Sequence, residues 1–272
     1  MLNNVTELAQ TLLQREKHFF TEVHPLNKNV PFLDGYIYLG VFFGYLLMCL
    51  MGKLYIESFS LKLRNLLRVY NILQILANAF IFLSTGYSIA TRFRQQPTFC
   101  MGMNKNAYTW DDRIEAATTS FFYFSRIFDL CDTIFIILKG KNNQLSFLHV
   151  YHHAWVLFVF WKGARYLPGA QGMWLMFLNS GVHFVMYSYY LLATFPQIAS
   201  YLWWKRYITQ LQIVQLLGII LGCLLPMPSI IRGECNYSFL YCLEGVIFCS
   251  LLVVSFVNFH IRSYGKSNKK VD

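Results

Sequence analysis

The run Phe147-Leu148-His149-Val150-Tyr151-His152-His153-Ala154 decides how this chain is read. Three histidines fall within five residues, and from Asn142 to Trp161 there is no Asp, Glu, Lys or Arg. As a helix, the run sets His149, His152 and His153 at i, i+3 and i+4, near one face. An apolar helix of about 20 residues is long enough to cross a bilayer. Imidazoles in such a span face a cavity or a bundle interior and mark a functional site.

Composition widens that reading to the whole chain. Of 272 residues, 56% are hydrophobic and only 13% charged, about half the charged share of a soluble domain. The expectation is an all-α, polytopic membrane protein. Its net charge of +10 must sit in loops and tails, where it meets anionic lipid headgroups or an anionic substrate. No nucleic-acid partner is expected. Residues 1–35 are mixed and polar, so they read as a tail rather than a cleavable signal peptide.

Seven apolar segments follow, within residues 36–261. The first lies between Asp34 and Lys53, and the second between Arg68 and Arg92. The third covers about 116–138 and the fourth is the histidine run. The fifth covers Met173 to Phe195, the sixth Tyr207 to Leu225 and the seventh Tyr241 to Ile261. Between the fourth and fifth, Lys162 to Gly172 reads as a turn, with Pro168 and Gly169 as breakers. An odd count puts the termini on opposite sides. With the C-terminus cytosolic, 12 Lys/Arg fall on the cytosolic side and ten on the other, a small bias in the expected sense. Residues 262–272 end in Lys269-Lys270-Val271-Asp272, like a dilysine retrieval signal of the endoplasmic reticulum. The sequons at Asn4 and Asn236 then fall in the lumen. So do Cys100 and Cys235, where a disulfide persists, and that pairing is expected.

In this topology the polar residues gather at one depth. Arg126, Asp129 and Asp132 recur at i+3 in the third segment. Asn179 and His183 are i+4 apart in the fifth, continued by Tyr187 and Tyr190. Thr209, Gln212 and Gln215 recur at i+3 in the sixth. Four segments thus bring polar stripes to the cytosolic half of one bundle. Interhelical hydrogen bonding accounts for some of these residues, but not for Arg, two Asp and four His together.

Membrane di-iron oxygenases hold their metals with about eight imidazoles. This chain has seven His, of which His18, His24 and His260 lie away from the cluster. A metal-dependent desaturase or hydroxylase is therefore the weaker reading, and no metal is expected. A seven-helix receptor or transporter fits the segment count but not the clustered His and Asp. Four His with two Asp suit acid–base and nucleophilic work. A neutral imidazole attacks an activated acyl group, and a neighbouring carboxylate orients it. Cys131, between the two Asp, is a rival nucleophile.

These residues resemble a known family over about residues 30–272, the ELO fatty acid elongases of the endoplasmic reticulum. Its histidine box matches Leu148-His149-Val150-Tyr151-His152-His153. Its NxxxHxxMYxYY pattern matches Asn179, His183, Met186, Tyr187, Tyr189 and Tyr190, and its TxxQxxQ pattern matches Thr209, Gln212 and Gln215. Its KxxExxDT pattern appears with Arg126 for Lys and Asp129 for Glu, followed by Asp132-Thr133. Charge is kept there, but reach and geometry change. The resemblance implies condensation of a long-chain acyl-CoA with malonyl-CoA to a 3-oxoacyl-CoA two carbons longer, with loss of carbon dioxide and CoA. No further cofactor is implied. His152 is expected to attack the acyl thioester, with His149, His153 and Asp129 or Asp132 supporting it. His183 and Asn179 are expected to serve malonyl-CoA. Lys62, Arg64, Lys205, Arg206 and Lys266 are candidates for holding CoA, and an acyl-chain tunnel is expected between the helices. Implied partners are the ketoreductase, dehydratase and enoyl reductase of the elongation cycle, and a second copy of the chain.

Overall fold

The computed structural model describes residues 2–55, 63–95, 98–103, 109–141 and 144–264. Among them there are helices and no strand: α1 (Leu2–Thr21), α2 (Gly35–Tyr55), α3 (Arg64–Gln95), α4 (Trp110–Leu138), α5 (Phe147–Tyr166), α6 (Gly172–Leu192), α7 (Pro196–Ala199), α8 (Lys205–Leu224), α9 (Met227–Ile231) and α10 (Phe239–Tyr264). Two 3₁₀ turns, Pro25–Asn27 and Pro31–Leu33, join α1 to α2. Lys62, Lys266 and the dilysine pair Lys269–Lys270 lie outside the described residues.

All seven apolar segments are helical, but among the described residues four stretches are long and apolar enough to cross a membrane: Gly35–Gly52, Arg64–Gln95, Lys205–Ile231 and Phe239–Tyr264. The other three, α4, α5 and α6, run 29, 20 and 21 residues. Length does not separate them from the four. They carry the Arg, Asp, His and Asn side chains that dilute an apolar helix.

Six helices close a ring. α3 packs on α4, α4 on α5, α5 on α10, α10 on α8, α8 on α6, and α6 back on α3. α2 lies outside it, against α4 and α5. One end of the ring carries the N-termini of α4, α6 and α10, and the other carries the N-terminus of α5 with its histidines.

Local chemistry sets the helix starts. Thr109 and Asp112 form a reciprocal capping box at α4, with Asp112 N donating to Thr109 Oγ1 (3.2 Å) and Thr109 N to Asp112 Oδ2 (2.9 Å). Ser146 caps α5 by accepting from His149 N, so that helix begins at Phe147, two residues before its first histidine. α5 continues through Tyr166 instead of turning at Lys162. Within it Lys162 forms an ion pair with Glu244 of α10, and the rings of Phe20, Phe158 and Tyr241 lie 5.2–5.4 Å from its ammonium. Gly169, with φ +81°, lies against the Glu115 side chain, so a Cβ there would strain the backbone and collide.

Residues 1–35 are more than a tail, because α1 docks on the ring. Glu16 is buried and caps α10, accepting from Phe239 N (2.7 Å), Leu240 N (3.3 Å) and Ser238 Oγ (2.5 Å). The two backbone N–H groups are unpaired donors of a helix start, and a carboxylate also suits the positive end of the helix dipole. Arg15 donates to the Ile230 and Cys235 carbonyls at 2.7 and 2.9 Å. At this same end Cys100 and Cys235 are joined in a disulfide, Cα–Cα 6.0 Å. Arg92 Nη2 donates to Glu115 Oε2 at 2.7 Å. Gln171 Nε2 donates to the Gly222 carbonyl at 2.8 Å. Asn236 Nδ2 donates to the Met103 carbonyl, and Ser238 of the same sequon is fully buried. The other sequon residue, Asn4, lies in α1.

Candidate active site

Within the ring, α3, α4 and α6 share one buried hydrogen-bond network. Its hub is Arg126 of α4, 2% exposed. Arg126 Nη1 pairs with Asp129 Oδ2 at 2.9 Å, one turn on. It also donates to Asn179 Oδ1 (3.1 Å) and meets His183 Nδ1 (2.9 Å) on α6. Nη2 donates to Asn78 Oδ1 on α3 and to Ser125 Oγ, both at 3.1 Å. The guanidinium also lies 4.6 Å from the Phe122 ring centroid. A planar five-donor fork lets one cation hold three helices together. Burying a charge is tolerable only with partners of this kind.

Asp129 is satisfied from both sides. Oδ1 accepts from Gln74 Nε2 (2.7 Å) and from the Tyr187 hydroxyl (3.3 Å). Oδ2 lies 3.9 Å from His183 Nδ1. The Tyr187 hydroxyl donates to Asp132 Oδ2 at 2.8 Å, so one phenol spans both carboxylates. Tyr190 stands 42% exposed, its ring 6.0 Å from that of Tyr187.

The histidines of α5 form a second group. His149 Nε2 and Thr133 Oγ1 are 2.8 Å apart, and Tyr45 of α2 reaches Thr133 at 3.4 Å. The rings of His149 and His153 have centroids 4.5 Å apart, and those of His152 and His153 5.4 Å. His152 lies near-parallel to Phe248 of α10, 6.5 Å away, and its Nδ1 is buried with no partner. Arg126 and His183 sit on α4 and α6 and these imidazoles on α5, all helices of the same ring. Among the described residues, no group of three His, Cys, Asp or Glu converges as metal ligands do.

The α8 stripe stands apart. Thr209 and Gln215 are buried, and Gln212 Nε2 reaches Met186 Sδ at 3.7 Å. Among the described residues, no hydrogen bond ties them to the carboxylates or imidazoles. Lys205 and Arg206 are exposed at the histidine end, with Arg206 4.7 Å over the Tyr207 ring. Cys131 is half-buried, packed with Tyr70, Phe128, Phe135, Met186 and Tyr187.

Three residues escaped the sequence reading: Tyr70, Gln74 and Asn78 of α3. They recur at i, i+4 and i+8, and the spacing inside an apolar segment was the available signal. Gln74 and Asn78 are fully buried. Gln74 Nε2 also donates to Tyr70 OH (3.0 Å), and Asn78 Nδ2 donates to the Gln74 carbonyl (2.8 Å).

The profile of the ELO: GNS1/SUR4 family matches residues 31–272. The chain is 34% identical over 234 residues to very long chain fatty acid elongase 2 of Mus musculus, covering 83% of this chain and 75% of that protein. It is also 34% identical to very long chain fatty acid elongase 4 of Homo sapiens, covering 83% and 70%. With very long chain fatty acid elongase 5 of Tachysurus fulvidraco it shares 32% over 265 residues, 95% and 86% of the two chains. A match over almost the whole ring, with relatives that share most of their length, places this chain in the ELO (GNS1/SUR4) family of fatty acid elongases.

Proposed function

We propose that this protein catalyses the condensing step of fatty acid elongation, joining a long-chain acyl-CoA to malonyl-CoA. The observation that carries the reading is the meeting of Arg126, Asp129, Asn179 and His183 in one buried network, inside the helical ring that also holds the α5 imidazoles. In the first half-reaction a neutral His152 nitrogen attacks the thioester carbonyl. The C–N bond forms, the C–S bond breaks, and the imidazole proton leaves with the thiolate as CoA. In the second, malonyl-CoA loses carbon dioxide and the resulting enolate carbon attacks the acyl carbonyl. The C–N bond breaks, and His152 regains a proton from solvent. His183 and Asn179 face the enolate oxygen, a role for fixed donors in a dry site. Asp129 and Asp132 hold Arg126 and Tyr187 in place.

The six-helix ring supports an acyl-chain tunnel running from the histidines toward the end that α1 covers. The seven helical segments support seven spans. In this reading the protein lies in the endoplasmic reticulum membrane, its N-terminus lumenal and its C-terminus cytosolic. Lys205, Arg206 and Lys266 then meet polyanionic CoA at the cytosolic mouth, and Tyr190, Thr209, Gln212 and Gln215 line the approach. The 3-oxo product requires a ketoreductase, a dehydratase and an enoyl reductase as partners.

The test is incubation of the purified protein with labelled malonyl-CoA and a panel of acyl-CoAs. A 3-oxoacyl-CoA two carbons longer is the expected product. Decarboxylation without chain extension, or no turnover across the panel, refutes the reading.

A further inference from the structure

Beside His152 stands a donor that has no acceptor. The indole Nε1 of Trp155 is buried and unpartnered. Two other part-buried indoles of the chain are paired across elements. Trp161 Nε1 donates to the Leu33 carbonyl at 3.1 Å and Trp174 Nε1 to the Gly218 carbonyl at 3.2 Å. Trp110 and Trp203 are about three-quarters exposed and have solvent or headgroups to meet. A buried donor without a partner is costly and calls for an explanation.

Position supplies one. Trp155 follows His152 by one helical turn on the same face of α5, and helical side chains lean toward the N-terminus. The indole therefore leans back over the turn that holds His152. Both rings meet Phe248 of α10 almost in parallel. The Trp155 and Phe248 centroids are 5.5 Å apart at 23°, and those of His152 and Phe248 are 6.5 Å apart at 17°. His152 Nδ1 is the second buried nitrogen without a partner at this phenyl ring. One patch thus holds an unpaired N–H donor and an unpaired imidazole nitrogen, walled by aromatic rings.

We infer that Trp155 is a catalytic residue whose indole N–H donates to the carbonyl oxygen of the acyl group undergoing attack by His152. The inference rests on the condensing reaction proposed above. As the imidazole nitrogen bonds to the carbonyl carbon, charge gathers on that oxygen. When the C–S bond breaks, the oxygen lone pair re-forms the C=O bond, the charge leaves on the thiolate, and the thiolate takes the imidazole proton. The indole transfers no proton. Its contribution is a fixed dipole in a water-poor site, stronger for the oxyanion than for the ground-state carbonyl.

The test follows exchange of labelled CoA into acyl-CoA without malonyl-CoA, using the full chain in lipid nanodiscs. Trp155→Phe keeps an aromatic ring against Phe248 and removes the N–H. Exchange is expected to slow by about 100-fold, with KM for acyl-CoA unchanged. Exchange at the wild-type rate, or a loss confined to KM, overturns the assignment, because ring packing alone would produce either. If Trp155→Phe does not fold, Trp155→Gln (a donor without the ring) is compared with Trp155→Leu. Faster exchange in the Gln variant supports the donor, and equal rates overturn it. Wild-type protein that neither exchanges CoA nor condenses overturns the condensing reading, and this inference with it. An active wild type with an equally active Phe variant overturns only the role of Trp155.

Discussion

Gln74 on α3 donates its side-chain amide to Asp129 Oδ1 on α4 at 2.7 Å. That bond fixes the carboxylate whose other oxygen pairs with Arg126. Gln74→Leu leaves Asp129 with one bond fewer in a dry site. The expected result is a loss of about 1–3 kcal/mol in stability and a fall in turnover. Thermal unfolding in detergent and a kcat measurement check both. In combination with Asp129→Asn the two effects should be less than additive, as for residues in one network.

The two histidine groups should separate by half-reaction. His152→Ala is expected to abolish exchange of labelled CoA into acyl-CoA. His183→Ala is expected to leave that exchange largely intact while abolishing the 3-oxo product. Both variants failing at exchange would mean that His183 also serves the acyl step. Cys131→Ala should pass both assays, since its half-buried thiol makes no bond to the network.

Arg126 holds α3, α4 and α6 through one guanidinium. Arg126→Lys keeps the charge but cannot reach Asn78, Asn179 and Asp129 together. Roughly tenfold lower kcat and about 1–3 kcal/mol lower stability are expected. Arg126→Met leaves Asp129 buried without its cation, and about 3–5 kcal/mol is at stake. Expression and unfolding temperature should rank wild type above Lys above Met.

Glu16 acts at a distance from the chemistry. Glu16→Ala removes three acceptor contacts from the start of α10 and should cost about 1–2 kcal/mol. Turnover at low temperature should persist, with inactivation at a lower temperature than wild type. An equal loss of kcat at every temperature would show that α1 reaches the reacting groups.

Much of the fold was legible because an apolar stretch bounded by charge is a helix in any membrane reading. All seven segments appear as helices, and the His149–His153 spacing gives the shared face it implies. What the sequence concealed lies in tertiary partnership. Gln74 and Asn78 look like ordinary polar interruptions until α4 is laid beside α3. Residues 1–35 carry no long apolar run, yet Glu16 binds the start of α10 and Arg15 the carbonyls of Ile230 and Cys235. Lys162 resembles a loop charge until Glu244 is placed opposite it. The span count illustrates the same tension from the other side. The side chains that make α4, α5 and α6 chemically useful also make them poor membrane helices by composition.

The bond between Glu16 and Ser238 joins positions 222 residues apart. α1 can therefore take its seat only after α10 has been made. Until then Glu16 lacks the donors of α10, and nascent chains stalled before α10 should be targets for quality control. The fold is fastened where α1 meets the start of α10, and loss of either helix would be felt at the other.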